Sequence, residues 1–586
     1  MRRLRYFPGY SRPRLYFVVG IFGLSFLAIL ARLTIVQVGQ YSYWHDSAEA
    51  QYGRRITVVP QRGRILDRRD NVLAASIPVP SVYVAPRQVE EPEFTAQMIA
   101  GIFPSLSESR LERQLTSRAS FVWLARQVSP EKASALQALG LAGIHIKKET
   151  RRIYPRGVLA GSAIGYAGID EQGLGGLEHQ YDSALSAQPL SANGTRDARG
   201  RTVSADLDAH SAPPRGADLY LTLDMRLQHI AEKELEEQAK AIGARSGLVV
   251  IMDPYTGGIL TLASYPFFNP NDYRNEKQRA WRRNRAVTDP IEPGSTFKVV
   301  AAAAALEEKT VALDEVFYCE KGWTRRNNRV LRDHKPFEFL TFPEVIENSS
   351  NICMVKINER ITSEQFYDYI RRFGFGEKSL VDLPGEHPGG IRHPDDWSAL
   401  SHDSLSIGQE IAVTPVQMVT AFSAIANGGW LLRPRLVDRL VKDDMAQAFK
   451  PERRRRVLSQ DTANRLTSML VGVVERGTGA QAALDGYLVA GKSGTAQKAE
   501  NGGYSHSKVV VSFIGYAPAE APRFVMLVMF DEPQRKRWGG SAAAPVFRSI
   551  AKQALHHLQV PPARARPVIE NTQIANREEP NLSVER

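Results

Sequence analysis

The stretch Glu292-Pro-Gly-Ser-Thr-Phe-Lys298, running into Val299-Val-Ala-Ala-Ala-Ala-Ala305, limits the fold more than any other part of the chain. Pro293-Gly294 breaks whatever precedes it, and the Ala-rich run is a strong helix former. Side chains that small let neighbouring elements close in, so this helix is expected through the middle of a domain. Ser295 then falls at or just inside a helix N-terminus, with Lys298 one turn later on the same face. The helix dipole favours charge developing on the Ser295 hydroxyl. An amine kept neutral by burial or by a nearby cation can take its proton. The stretch reads as an activated serine nucleophile.

Ser-x-x-Lys alone decides nothing, because Ser129/Lys132, Ser505/Lys508 and Ser549/Lys552 repeat the spacing. Only the first pair is followed, in order, by Ser349-Ser350-Asn351 within Glu347-Asn-Ser-Ser-Asn351 and then by Lys492-Ser-Gly-Thr495. Ser-x-N recurs by chance at Ser191-Ala-Asn193, so the weight rests on the ordered triple. That triple is the signature of penicillin-binding proteins and serine β-lactamases.

At 586 residues the chain exceeds one core, and 43% hydrophobic with 24% charged residues is the balance of a folded protein. The net charge of +12 comes from scattered Arg, with no zinc-finger spacing or nucleic-acid motif. A basic surface near anionic lipid or cell-wall polymer is therefore expected, and no nucleic-acid partner. Cys319 and Cys353 are the two cysteines, and they form no CxxC pair. Redox and metal chemistry are not expected. A disulfide between them is open in an oxidising compartment, but two free, partly buried thiols are the favoured reading.

Residues 1–14 carry five Arg and no acid, and Leu15 to Ala31 is uncharged. With Arg32 snorkelling, residues 15–38 read as an uncleaved membrane anchor, the N-terminus cytoplasmic and the rest outside. Residues 39–215 read as an elongated, mostly β pedestal with no catalytic group. It has a strand near Arg55–Val59, one helical patch near Glu131–Leu139, and a loop over Asn193–Gly200. Residues 216–560 alternate differently. A helix from about Met225 to Ala241, a hairpin at Gly247–Ala263, late strands at Gly486–Thr495, Val509–Gly515 and Arg523–Phe530, and a closing helix near Ala544–Leu558 imply an α+β layer domain on one antiparallel sheet. Residues 561–586 are Pro-rich and polar, and read as a disordered tail.

Over nearly its whole length the chain resembles the class B penicillin-binding proteins, membrane-anchored D,D-transpeptidases that cross-link peptidoglycan. Beyond the triple, Arg62-Gly-Arg-Ile-Leu-Asp-Arg68 with Leu73-Ala74, and Gly173-Leu-Gly-Gly-Leu-Glu178, carry the resemblance in the pedestal. Arg283-Asn-Arg-Ala286, Ser406-Ile-Gly-Gln409 with Thr414-Pro415, and Gly539-Gly540 with Ala543-Ala-Pro-Val-Phe547 carry it further on. Asp70 and Trp538 depart from the family, which often has Gly and Tyr there. Arg283-Asn-Arg285 and Asp531-Glu-Pro-Gln534 look most like the septal, cell-division branch.

The resemblance implies a penicillin-binding, serine β-lactamase-like transpeptidase domain with no cofactor and no metal. It implies Ser295 as nucleophile, Lys298 as base, Ser349 as proton relay, Asn351 holding substrate and Lys298, and Lys492 with Ser493, Gly494 and Thr495 at the substrate carboxylate. Stem peptides and β-lactams are the implied ligands. A membrane glycan polymerase and the division (or elongation) complex are the implied partners, docked through Arg62–Arg68, Gly173–Glu178 and the Leu15–Val36 helix. An elongation-type enzyme or a D,D-carboxypeptidase are the rival enzymes. A non-catalytic scaffold would have lost the triple.

Overall fold

The long apolar runs of the C-terminal half are strands buried on both faces. In the computed structural model, five strands form one antiparallel sheet in the order Ile259–Tyr265, Ser246–Met252, Phe524–Asp531, Gly503–Ala517, Ala490–Glu500. Alternation divides each strand between two cores. Leu248, Val250 and Met252 face one, where the helix Lys298–Glu307 and the helix Pro415–Ala426 lie. Val249 and Ile251 face the other, packed by Met225–Ile242 and Ala544–His557. Ala301 to Ala305 are all fully buried, which only alanine-sized side chains permit on every side of a helix. This is the expected α+β transpeptidase layer arrangement. The structure describes residues 12–58, 60–188, 190–196, 202–205, 214–326, 329–500 and 503–562.

The chain divides into two units, Met1–Gln61 with Gln188–Pro214, and Arg62–Ala187 with Arg215–Arg586. In the first, Arg12–Thr34 is α-helical and passes into a π-helical turn at Ile35–Gly39. Among the described residues this is the one helix long and apolar enough to cross a membrane, with a mean hydropathy of 2.2 in its apolar window. A second helix, Tyr41–Tyr52, leads into a strand, Gly53–Val58, that pairs with Leu190–Arg196, which in turn pairs with Thr202–Ala205. The loop expected over Asn193–Gly200 is therefore a strand as far as Arg196, and its remainder lies outside the described residues. So does the expected tail beyond Pro562.

In the second unit, residues 62–187 are less β-rich than expected. Three helices, Pro92–Ile102, Glu108–Leu115 and Pro130–Ala138, pack Ala96, Ile99, Leu111, Leu115 and Leu136 on Val82 and Val84 of the strand Val72–Val84. Leu111 and Leu115 show why one helical patch was an undercount. A helix this short buries only two residues four apart, too few to register as a period. The sheet beneath runs in the order Met445–Ala448, Val437–Lys442, Asp218–Leu221, Ile65–Leu66, Val72–Val84, Val122–Ala125, with Ile144–Ile153 also on Val72–Val84. Asp218–Leu221 lies parallel to Ile65–Leu66 on one side and antiparallel to Val437–Lys442 on the other.

Arg62 and Glu178, expected at a docking surface, are instead interior. Arg62 is 3% exposed and Glu178 fully buried. Arg62 Nε donates to Glu178 Oε2 at 2.7 Å, and Arg152 Nε donates to Glu178 Oε1 at 2.7 Å. Arg62 also reaches Asp182 Oδ1 at 2.6 Å and the Glu178 carbonyl at 2.9 Å. The two motifs meet because they hold this unit together, so neither residue is available to a partner. Asp70 sits at φ 62°, a left-handed turn position that glycine occupies without cost, which accounts for the Gly often found there. Arg285 lies 3.5 Å from Asp531, so the two segments with septal character form one ion-pair cluster.

Candidate active site

Gly294–Phe297 forms a 3₁₀ turn that leads directly into the helix beginning at Lys298, and Ser295 lies in that turn. Two glycines make the turn possible. Gly294 has φ 57° and donates to the Gly408 carbonyl at 3.0 Å. A Cβ on Gly408 would come within 2.1 Å of the Gly294 oxygen, so Ser406-Ile-Gly-Gln409 is a close-approach seat for the turn that carries Ser295. Ser295 lines a cleft of about 660 Å³ together with Ser349, Asn351, Ser493, Gly494 and Thr495.

Lys298 and Lys492 are fully buried, with the Ser349 hydroxyl between their amines. Lys298 Nζ donates to the Ser349 carbonyl at 2.5 Å and to Asn351 Oδ1 at 2.7 Å, and lies 3.2 Å from Ser349 Oγ. Lys492 Nζ reaches Ser349 Oγ at 2.8 Å and the Ser493 carbonyl at 3.3 Å. Two short donations use both N–H bonds of a neutral Lys298 amine, and its lone pair remains to accept a proton from a hydroxyl, with Ser349 Oγ 3.2 Å away. Burial pushes the Lys298 amine down to about 7, against the opposing pull of the Asp333 carboxylate. Burial and then repulsion from Lys298 push Lys492 well down too.

Ser349 owes its place to backbone strain. Its φ of 57° is left-handed for a non-glycine residue, which costs about 1–3 kcal/mol. The twist turns its carbonyl toward Lys298. It is held from both sides. Ser350 caps the helix Asn351–Asn358 by accepting from Cys353 N, and its own hydroxyl donates to Asp333 Oδ2 at 2.6 Å. Asp333 Oδ1 accepts from Asn351 N at 2.5 Å and Ile352 N at 3.2 Å. The first serine of the Ser-Ser-Asn run thus faces the amines and the second builds the helix start.

Lys492 to Thr495 lie on Ala490–Glu500, the edge strand of the five-stranded sheet. A Cβ at Gly494 would meet Thr296 Cγ2 at 2.8 Å, so glycine lets this edge approach the turn that carries Ser295. Ser493 Oγ donates to Thr478 Oγ1 at 2.8 Å, and Gly539 N donates to Thr495 Oγ1 at 3.2 Å. All eight candidate site residues, Ser295, Lys298, Ser349, Asn351, Lys492, Ser493, Gly494 and Thr495, therefore meet here. Asp333 and Thr478 join them unannounced by the sequence. Each sits on a connecting segment far from any motif, and no spacing marks it.

Two of the other Ser-x-x-Lys pairs do ordinary local work. Ser129 caps its helix through Lys132 N, and Ser505 Oγ accepts from Lys508 N at 3.2 Å. Cys319 and Cys353 are not free thiols. They form a buried disulfide with Cα atoms 5.2 Å apart. Sequence separation hid the pairing, since only the fold brings the end of the strand Val316–Tyr318 against the helix that carries Asn351. Among the described residues no group of three or more His, Cys, Asp or Glu is placed to hold a metal ion.

A serine in a turn opening a helix, a buried lysine wedged against a second serine and an asparagine, and a lysine-bearing edge strand together define a serine acyl-transfer site on an α+β scaffold. The penicillin binding protein transpeptidase domain matches residues 247–552, and the penicillin-binding protein dimerisation domain matches residues 57–221. The chain belongs to the penicillin-binding proteins, as a class B member carrying these two domains in this order. It is 36% identical over 563 residues to stage V sporulation protein D of Bacillus subtilis (strain 168), covering 94% of this chain and 87% of that protein. It is 30% identical over 559 residues to peptidoglycan D,D-transpeptidase FtsI of Escherichia coli (strain K12), covering 94% and 92%. Penicillin binding protein 3 of Mycobacterium tuberculosis, solved in complex with aztreonam, superimposes with a TM-score of 0.67 at 28% identity, covering 87% of this chain and all of that one.

Proposed function

We propose that this chain is a membrane-anchored peptidoglycan D,D-transpeptidase of the septal branch, acting through an acyl-enzyme on Ser295. The observation that carries the reading is the buried Lys298 amine, held by the Ser349 carbonyl and Asn351 Oδ1 with the Ser349 hydroxyl 3.2 Å away. Ser295 Oγ attacks the carbonyl of the penultimate D-Ala of a stem peptide and passes its proton to Lys298. The backbone N–H groups of Ser295 and Thr495 receive the oxyanion, each donor worth about 3 kcal/mol. Collapse of the tetrahedral intermediate breaks the peptide bond. The Ser349 hydroxyl relays a proton to the departing D-Ala nitrogen. The amine of a second stem peptide then attacks the ester, yielding the cross-link and returning the proton to Ser295. β-Lactams enter the same first step and stay.

Two buried amines around one hydroxyl cannot both hold charge cheaply, and burial with repulsion from Lys298 disfavours the Lys492 cation. A substrate carboxylate arriving beside Ser493 and Thr495 supplies the countercharge that favours Lys492 protonated and Lys298 neutral. Acylation by a β-lactam is therefore expected to rise with pH along a limb centred near 7, set by Lys298 losing its proton. Stopped-flow acylation between pH 5 and 9 measures it, and a flat profile across that range would remove Lys298 as the base.

An uncharged helix after an Arg-rich N-terminus favours a catalytic part outside the cytoplasmic membrane, and a disulfide fits an oxidising compartment. A glycan polymerase in the same membrane is the partner this topology favours, because a shared plane raises effective concentration. The relative named FtsI and the Arg285–Asp531 cluster favour septal rather than elongation work. Peptide mapping after penicillin treatment tests the core of the proposal. The adduct is expected on Ser295, and an adduct on Ser129, Ser505 or Ser549 would overturn it.

A further inference from the structure

The cleft wall continues outward into a surface that acyl transfer does not use. Between the nucleophile helix and Ser349 the chain builds two small antiparallel sheets. Val316–Tyr318 pairs with Phe339–Thr341, and the hairpin Trp323–Arg326 pairs with Arg329–Arg332. Their inner faces are anchored. Phe317, Leu331 and Leu340 are buried, and Cys319 is bonded to Cys353, two residues past Asn351. Lys356 Nζ donates to the Tyr318 carbonyl at 2.8 Å and to Glu320 at 2.6 Å, and Arg326 pairs with Glu359 and, at 3.2 Å, with Asp403. This surface is thus fixed in position relative to the helix that carries Asn351.

The outer faces are bare. Trp323 and Phe339 are each 61% exposed, with Val316, Val330 and Tyr318 beside them in the same two sheets. Strand alternation puts Arg325 and Arg332 on the outer side of the hairpin, Arg325 opposite Val330 and Arg332 opposite Trp323. Both arginines are exposed, and neither makes an ion pair with a described residue. Large exposed apolar groups this close in the chain, on two neighbouring hairpin-sized sheets, mark a binding surface, and Trp, Tyr and Arg are the side chains that carry most interface energy. Arg332 also lines the catalytic cleft, so the outer face and the cleft are one continuous surface.

We propose that this face docks the polymer that carries the stem peptides. Sugar rings of an uncross-linked glycan strand lie against Trp323 and the Tyr318–Phe339 pair, and carboxylates of its peptides pair with Arg325 and Arg332. The inference rests on the transpeptidase reading above and adds how the enzyme holds a polymer rather than a lone peptide. Three observations favour this occupant. The face joins the cleft without a break. Its guanidiniums have no counter-ion among the described residues, and stem peptides bring carboxylates that accept two hydrogen bonds from such a fork. On the hairpin's outer face apolar side chains and cations alternate, Trp323 opposite Arg332 and Val330 opposite Arg325, as a strand with repeating apolar sugar faces and charged branches requires, instead of forming the continuous apolar centre of a protein interface.

The test uses the full-length chain in detergent with Ser295 already acylated by penicillin, so that the cleft itself is blocked. The probes are end-labelled glycan strands bearing pentapeptides, and the same strands stripped of peptides by an amidase. The Trp323→Ala, Arg325→Glu double variant is expected to bind intact strands at least about ten-fold more weakly than wild type. Stripped strands are expected to bind wild type at least about ten-fold more weakly than intact ones. Unblocked variant and wild type should be acylated by β-lactam at the same rate, which also reports that the variant is folded. If the double variant loses acylation, the single Trp323→Ser and Arg325→Ala variants carry the test. Undiminished strand binding by folded variants, or equal binding of stripped strands, overturns the proposal. Undiminished strand binding with failed growth complementation assigns the face to a protein partner, which also overturns it. Absence of any Ser295 adduct in wild type would instead strike the transpeptidase reading.

Discussion

Lys298→Ala is expected to slow β-lactam acylation of Ser295 by about 10²–10⁴-fold, the usual contribution of a positioned general base, while leaving the secondary structure unchanged. The geometry makes the loss specific. The Lys298 amine bridges the Ser349 carbonyl and Asn351 Oδ1, and cleft water can replace those two hydrogen bonds but not the proton acceptor. Binding assays with a labelled β-lactam and circular dichroism separate the two effects. An acylation rate within a few-fold of wild type would place the base elsewhere. The same residue carries a stability signature of definite sign. An unfolded lysine holds its proton up to about 10.5, whereas the folded one releases it near 7. Between those values the unfolded chain binds more protons, so wild-type stability rises with pH through that window. Lys298→Met is expected to flatten that rise, read as the melting temperature between pH 7 and 10.

Glu178→Ala is expected to cost about 3–5 kcal/mol of stability, because it leaves the Arg62 and Arg152 guanidiniums buried with their shared carboxylate gone. An exposed ion pair would cost less than about 1 kcal/mol, so chemical denaturation distinguishes the interior assignment from a surface one. A loss below that limit would mean the carboxylate is solvated and the motif free for contacts. Glu178→Gln, which keeps the acceptor oxygen and shape but removes the charge, should fall between. Charge reversal at either position reports on folding, and failed growth of such a variant says nothing about docking.

The candidate site residues are readable in the sequence because each lies in a short linear motif whose order survives folding. Ser295 with Lys298, Ser349 with Asn351, and Lys492 to Thr495 each occupy one turn or one strand. Asp333 was not readable. It reaches Ser350 and Asn351 across 17 and 18 positions of chain, from a segment with no periodic pattern. Arg62 and Glu178 were noticed but misassigned, since a charged residue in a recurrent motif reads as exposed until its partner's place in space is known. The cysteines failed for the same reason, a pairing decided by tertiary approach. For the fold, the apolar runs at Gly247–Ala263 and Arg523–Phe530 gave the central sheet through alternation and length. The short helices on Val82 and Val84 bury too few residues to leave a period.

The strand Asp218–Leu221 has a bearing on how such a protein can be taken apart or recombined. It sits between Ile65–Leu66 and Val437–Lys442, so one continuous ladder joins residues matched by the dimerisation family to residues matched by the transpeptidase family. The two matched regions are not beads on a string. A fragment begun after Leu221 would strip Val437–Lys442 of its neighbour and leave a row of unpaired N–H and C=O groups open to other chains. An exchange of the N-terminal half between relatives would need the donor's strand to match that register residue for residue, since a slip of one position turns every side chain to the wrong face. Inheritance of the two halves is thereby coupled, and a workable chimera would have its crossover on the far side of that ladder.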